Sequence, residues 1–362
     1  MGRTSDGPRI FGVDVGGTSI KYGATAGEKN PLAGLTFLTD LAQHHAVPSE
    51  VRNGPEATVQ QIVEAHRKLL DLLHDKHLAF DAVGVAVAGP SLESDGTILF
   101  SGNFGEVWRG VSLRNSVRDK FNIPTTSIND ANAAGLAEQM EQSRYAPDVS
   151  NTPGLLATVG TGLGTAVFGR DGQLYVGSLG LGGEYGHSPM PTEHARSTVK
   201  LEGEANRCSC GRTGCAELYT SRAFLSREVV ARRSQDPNNP IYSGSKAEWA
   251  DAVPVEAAKG NALALQILKD QAFNLGLFLG RLDLINDYKW LIIGGGVSNA
   301  DDKLKDAYMR EVKAGFQREA DPNKVNKVEI SFARLGNNAG WIGASIAAHN
   351  MVLKGSQPDS QG

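Results

Sequence analysis

The chain opens on a short apolar run, RIFGVDV (residues 9–15), that ends at two glycines. A run of this length, rich in β-branched residues and stopped by glycine, predicts a strand, and residues 18–26 predict its return. Between 58 and 75 the spacing changes. Val59, Ile62, Val63, Leu69, Leu70 and Leu73 recur at helical intervals on one face, which predicts an amphipathic helix. DAVGVAVAGP (81–90) predicts a strand stopped by Gly-Pro, and TTSIND (125–130) a further short strand. ANAAGLAEQM then predicts a helix starting near Asp130. The polar stretch 141–153, with two prolines, breaks the pattern and reads as a linker. Beyond it the pattern restarts, with a strand at Leu155–Val159, a glycine turn and a return at Thr165–Phe168. A long helix is predicted over 260–286 from Leu263, Ile267, Leu268, Leu275, Phe278, Leu279 and Leu282. KWLIIGGGVSN gives a strand ending in three glycines, and AGWIGASIAAHNMV a last helix before a frayed tail.

The strand–glycine turn–strand pattern occurs once in each half, which argues for an internally duplicated α/β chain. The length of 362 residues agrees, since it predicts about two domains. A hydrophobic fraction of 40% supplies two cores, and 21% charged residues argues against disorder away from the ends. The net charge of −4 gives no reason to expect nucleic acid or an anionic membrane as partner. No apolar stretch reaches the ~20 residues of a membrane span, and the N-terminus has no signal-peptide core, so a cytoplasmic protein is expected. Three cysteines, an odd number, argue against a disulfide framework.

Neither GxxxxGK[ST] nor GxGxxG occurs, so the glycine turns need another account. A strand–Gly–Gly–Thr turn bares several backbone N–H groups and a hydroxyl, a nest that attracts phosphate oxygens. Asp14 repels phosphate directly, but it can hold a hydrated Mg²⁺ that holds the phosphates, with Lys21 as a counter-charge. Gly16–Gly17 alone is equally an ordinary hairpin turn. The further turns GTGLGT (160–165) and GGGVS (294–298) shift the reading toward one ligand met from several sides. At NDANAA (129–134) an Asp at a strand-to-helix junction is either an N-cap or a general base; with an ordinary pKa of ~3.9 it is ionised and ready to accept a hydroxyl proton. Cys208, Cys210 and Cys215 fall within eight residues, spaced as for a Cys₃His zinc site, with His187 or His194 as the fourth ligand.

In chain order, DVGGTSIK, GVAVAGP, GNFGEVW, NDANAAGLAE, GTGLGTAVF, GGEYGH, CSCGRTGCAE and LIIGGGVS resemble the ROK family of sugar kinases and repressors over nearly the whole chain. The resemblance implies a duplicated, actin-like and hexokinase-like (ribonuclease H-like) α/β fold of two domains around a cleft. It places a smaller N-terminal domain over 1–140, to which a helix at 340–355 returns, and a larger domain with the zinc loop over 141–339. It implies that Asp130 is the catalytic base and that Asn103, Asn129, Asp130, Glu184, His187 and Glu217 bind a sugar. Asp14, Gly16, Gly17, Thr18, Lys21, Thr161 and Gly162 would hold the phosphates of ATP with Mg²⁺, and Gly295 and Gly296 would lie near the nucleoside. His187 would also join Cys208, Cys210 and Cys215 on a structural Zn²⁺. The activity implied is ATP-dependent transfer to the 6-hydroxyl of a hexose by a homodimer or homotetramer. Glucose is the first choice of acceptor, then N-acetylated hexosamines, fructose, mannose or allose. A non-enzymatic sugar-binding regulator is the reading of another class. Only Met1–Pro8 precede the first strand, too few for the helix-turn-helix of a repressor. The sequence departs from the family in the segment 188–207, SPMPTEHARSTVKLEGEANR, which is longer than usual; His187 remains the favoured fourth ligand because a long loop costs little to close.

Overall fold

The computed structural model describes residues 7–27, 35–41, 43, 45–92, 94–99 and 104–355. They fall into two units. One takes the described residues up to 150, those of 173–183 and those from 337; the other takes 151–172 and 184–336. In chain order the elements up to the middle are β1 (Arg9–Val15), β2 (Ser19–Gly27), β3 (Leu35–Phe37), β4 (Ala46–Pro48), α1 (Pro55–Leu72), β5 (Ala82–Val87), α2 (Leu113–Phe121), β6 (Thr125–Asn129) and α3 (Asp130–Ser143). Then follow β7 (Gly154–Val159), β8 (Leu163–Phe168), α4 (Glu217–Thr220), α5 (Arg222–Ala231), α6 (Trp249–Ala258), α7 (Ala262–Asn286), β9 (Trp290–Gly295), α8 (Asp302–Glu319), β10 (Glu329–Phe332) and α9 (Ala339–Gly355).

In the first unit the sheet order is β3-β2-β1-β5-β6, with β4 also on β2. The β1–β2 hairpin is antiparallel and sets Asp14 opposite Lys21. β1, β5 and β6 are parallel, and their register aligns Val15 with Val87 and Val87 with Asn129, so the three carboxyl ends are level. Every residue of β5 is buried, which is what a central parallel strand covered on both faces requires. One cover is α9, apolar along most of its length. It approaches so closely that a Cβ on Gly84 would strike the carbonyl of Ala344, and one on Gly343 the carbonyl of Ala133. Glycine is what permits that approach.

The second sheet has the order β10-β9-β7-β8. β7 and β8 form an antiparallel hairpin, and β7, β9 and β10 are parallel, so the hairpin-plus-two-parallel-strands plan of the first sheet is repeated. Sheet residues Leu155, Ala157, Leu291 and Ile293 share one core with Leu275, Phe278 and Leu279 of α7 and Val312 and Phe316 of α8. Each of these side chains except the smaller Ala157, fully buried, contributes roughly 1.5–3 kcal/mol.

The contact boundary falls at Ser150/Asn151, ten residues after the expected 140/141. The polar stretch is not an open linker: α3 continues to Ser143, and a 3₁₀ turn at Pro147–Asn151 buries Val149. Residues 173–183 group with the first unit, which no local pattern announced. Among the described residues no helix is long and apolar enough to cross a membrane.

Candidate active site

In the first unit the chemistry collects at the carboxyl edge of the parallel strands. Asp14 is the penultimate residue of β1, and Asn129 ends β6, two strands away, with Asp130 directly after it; at about 4.8 Å per strand this is about 10 Å. The Asp14 side chain is 13% exposed, and Lys21 Nζ lies 3.4 Å from its Oδ2. Burial raises the Asp14 pKa above the ordinary carboxylate value, and the Lys21 ammonium opposes that rise. On its other side lies the first turn of α9, where a Cβ on Gly340 would come within 2.6 Å of the Asp14 carboxyl carbon. Gly340 therefore has a reason in the site, which no motif flagged.

The turn after β1 is closed by Gly16 N–H donating to the Ser19 carbonyl. Gly17 and Thr18 are exposed. A Cβ on Gly17 would meet nothing within 4 Å, and its φ is not left-handed. The fold itself does not demand glycine there.

At β6–α3 the cap is Asn129, not Asp130. Asn129 Oδ1 accepts from the N–H groups of Ala131 and Asn132, and its Nδ2 donates to the Gly89 carbonyl at 3.3 Å. Both ends of the Asn129 amide thus have backbone duties, a competing explanation for a residue expected to bind sugar. Asp130 is the first helical residue, and its Oδ1 accepts from Ala131 N–H at 2.9 Å. Asn103 lies outside the described residues.

The second unit repeats the level edge, with Val159 of β7 opposite Gly295 of β9. Gly160 N–H donates to the Gly162 carbonyl, Arg222 N–H donates to the Gly160 carbonyl, and Thr161 is exposed. Gly160 and Gly296 have open space where a Cβ would be. Gly295 is different: its φ of +95° and the nearby Val159 backbone make glycine a requirement of the fold. Gly162 likewise has no room, because the Glu217 carboxylate sits against it. Gly160 opens the GTGLGT turn.

Glu217 begins α4 and its Oε2 accepts from Leu163 N–H at 3.1 Å, while Oε1 accepts from Cys208 Sγ at 3.5 Å. Glu184 precedes a 3₁₀ turn, Tyr185–His187, which is anchored by Tyr185 N–H donating to Thr165 Oγ1 at 3.1 Å. Burial raises the Glu184 pKa; His187 opposes that and Glu217 adds to it, so the three groups share one neighbourhood. Two carboxylates and an imidazole can each take one or two hydroxyls of a polyol.

Beside them, Nδ1 or Nε2 of His187 and the Sγ atoms of Cys208, Cys210 and Cys215 lie within 4.8 Å of one another. The Cys210 and Cys215 sulfurs are 3.7 Å apart, and Cys208 Sγ is 3.5 Å from His187 Nδ1. A tetrahedral ion with bonds of about 2.3 Å to sulfur and about 2.0 Å to nitrogen sets edges of about 3.8 and about 3.5 Å, so the donor set fits one. His194 is outside this group; its ring nitrogens lie 3.3 and 3.5 Å from Arg318 Nη2.

A model of the ROK family matches residues 10–351, and the chain belongs to the ROK family. It is 31% identical over 356 residues to a glucokinase of Halalkalibacterium halodurans, covering 96% of this chain and 98% of that one. It is 26% identical over 343 residues to an N-acetylmannosamine kinase of Salmonella typhi, with 94% and 98% covered. Among solved structures, a ROK family glucokinase from Streptomyces griseus in complex with glucose and AMPPNP matches with a TM-score of 0.72 at 25% identity, over 94% of this chain and 99% of that one. The fold is the duplicated actin-like, hexokinase-like α/β fold.

Proposed function

We propose that the chain is an ATP-dependent sugar kinase that transfers the γ-phosphoryl group to a hexose hydroxyl, with the 6-hydroxyl of glucose as first choice. The observation that carries this is the placement of Asp130. It stands at the carboxyl edge of β6 on the first turn of α3, directly after the N-cap Asn129. The likeness over nearly full length to a glucokinase supports the same reading.

In this mechanism the acceptor hydroxyl donates a hydrogen bond to the Asp130 carboxylate. As its oxygen bonds to the γ-phosphorus, the hydroxyl proton passes to Asp130, the bond from that phosphorus to the β,γ-bridging oxygen breaks, and ADP leaves with that electron pair. Glu184, His187 and Glu217 orient the sugar by its other hydroxyls, which rejects sugars lacking a matching group. The open turns at Gly17, Gly160 and Gly296 receive the nucleotide. Asp14 would hold Mg²⁺ through water, and that ion supplies charge neutralisation for the phosphates. His187, Cys208, Cys210 and Cys215 would hold a Zn²⁺ with no open position, whose contribution is rigidity. We place the enzyme in the cytoplasm, where ATP is, as a homodimer or homotetramer.

A second reading, a kinase of N-acetylated hexosamines, is favoured by the N-acetylmannosamine kinase match. A coupled assay of glucose, N-acetylglucosamine, N-acetylmannosamine, fructose and mannose against ATP and polyphosphate tests both. Glucose with ATP is expected to give the highest kcat/KM. A tenfold advantage for an N-acetylated sugar would establish the second reading, and no turnover with any sugar would remove both.

A further inference from the structure

We propose that Glu228 and Asn274 are positioning residues that pin the long 188–207 segment as a strut and so keep Glu184, His187 and Glu217 in place for the sugar; this rests on the sugar-kinase reading above. The segment leaves directly from His187 and ends directly at Cys208. A connection of this length is ordinarily a loose surface loop. This one is built in. Met190 and Leu201 are buried in the core of the second unit. Its start is tied to the cysteine loop, with Met190 N–H donating to the Gly214 carbonyl and Ala216 N–H to the Ser188 carbonyl.

Its middle is held by α5 and α7. Glu228 on α5 is fully buried, yet its carboxylate accepts from Ser197 Oγ at 2.5 Å, Thr198 N–H at 3.0 Å and Thr198 Oγ1 at 2.5 Å. Arg232 adds an Nε–H bond at 3.2 Å and is itself paired with Asp270 at 2.6 Å. Asn274 on α7, also fully buried, clamps the backbone of Arg196 twice: Oδ1 accepts from its N–H at 2.7 Å, and Nδ2 donates to its carbonyl at 2.9 Å. The same Nδ2 donates to the Tyr219 carbonyl of α4, the helix that Glu217 begins. Arg196 reaches on to Glu311 of α8 at 2.7 Å and lies over the Phe273 ring. Lifting the segment would strand a buried carboxylate and a buried amide, a cost that a loop without a duty gives no reason to build in.

Two variants approach the contact from its two sides in the full-length protein: Glu228→Gln, and the pair Ser197→Ala with Thr198→Val. Each is expected to raise the sugar KM at least tenfold while the ATP KM stays within twofold, and to speed amide hydrogen exchange over 188–200 by tenfold or more. Combined, they are expected to do less than the product of the two, because both act on the Ser197 and Thr198 hydroxyl bonds to Glu228. A sugar KM within twofold of wild type despite faster exchange would overturn the proposal. So would a parallel rise in both KM values, or effects that multiply. If Glu228→Gln does not fold, the Ser197/Thr198 pair decides alone. If the wild type phosphorylates no sugar, the kinase reading falls, while the exchange measurement still decides whether Glu228 pins the segment.

Discussion

The two sheets repeat one plan and differ in charge. In the first, the penultimate residue of the leading strand is Asp14, facing Lys21 across the hairpin; in the second, it is Thr158, facing Gly164. Thr158 uses its hydroxyl on the Gly164 carbonyl at 3.3 Å, a neutral bond inside the hairpin. At the last strand the contrast recurs. β6 runs into α3 through Asn129 and Asp130, whereas β10 ends at Phe332 and is followed by Ala333. The shared backbone supplies level strand ends and glycine turns twice. The carboxylates at those strand ends stand in the first sheet and not in the second.

The largest expected effect breaks that contrast at Asp130. Asp130→Ala should lower kcat by about 10²–10⁴, the usual span for general base catalysis, with sugar affinity changed only several-fold. Unchanged turnover would take the base assignment away from β6–α3. Next comes Asp14→Asn against Thr158→Val. The first should cost on the order of 10² in kcat/KM and the second less than about threefold, as expected if only the first hairpin has a charge to lose. Burial raises the Asp14 pKa in the metal-free protein, and Lys21→Met should raise it further, which a carboxyl titration followed by NMR would read. The sign for stability is the opposite of a normal salt bridge. A carboxyl whose folded pKa exceeds its unfolded pKa favours folding when protonated and loses that advantage as pH rises through the folded value. At neutral pH, Asp14→Asn should therefore leave the melting temperature equal or higher while activity collapses. A clear drop in Tm would refute the burial argument.

A smaller effect concerns the second unit alone. Cys210→Ser, or a strong chelator, should release metal and lower Tm by about 5–10 °C, which corresponds to about 2–3 kcal/mol for a unit of this size. Protein that is metal-free as purified, with the same Tm, would contradict a structural ion.

Much of this was readable in advance, and the reasons differ by element. β1, β7, β9, α7 and α9 are long or strongly apolar, so tertiary packing and local pattern agree. β3, β4 and β10 have three or four residues each, too few to carry a period. α8 is legible from Leu304, Tyr308, Val312 and Phe316, four apart, although no expectation was placed there. α6 hides behind Pro254, which marks a break in sequence yet lies inside a helix. The clustering of Cys208, Cys210 and Cys215 was legible from spacing, because close cysteines must fold close; spacing left His187 and His194 both open, and the family resemblance favoured the histidine that the structure sets beside the sulfurs. The Glu217–Leu163 bond, 54 residues apart, was not. Nor were the duties of Glu228 and Asn274, which exist only where distant helices meet a loop.

The glycines give the smallest expected effect and the sharpest use of the comparison. Sequence cannot tell Gly17 from Gly295, since both follow apolar strands. Structure can. Gly17 has ordinary φ and open space, so Gly17→Ala should leave stability within about 0.5 kcal/mol. Gly295 has φ +95° and no room, so Gly295→Ala should cost at least ~1–3 kcal/mol through strain and clash. If Gly17 is bare for a phosphate, its alanine variant should raise the ATP KM by about three- to tenfold, with Tm and sugar KM unmoved. Gly295→Ala should instead lower Tm first. An ATP KM unchanged in Gly17→Ala would mean that the first turn is a hairpin and nothing more. The nucleotide would then have to be held by the Gly160 and Gly296 turns of the second unit.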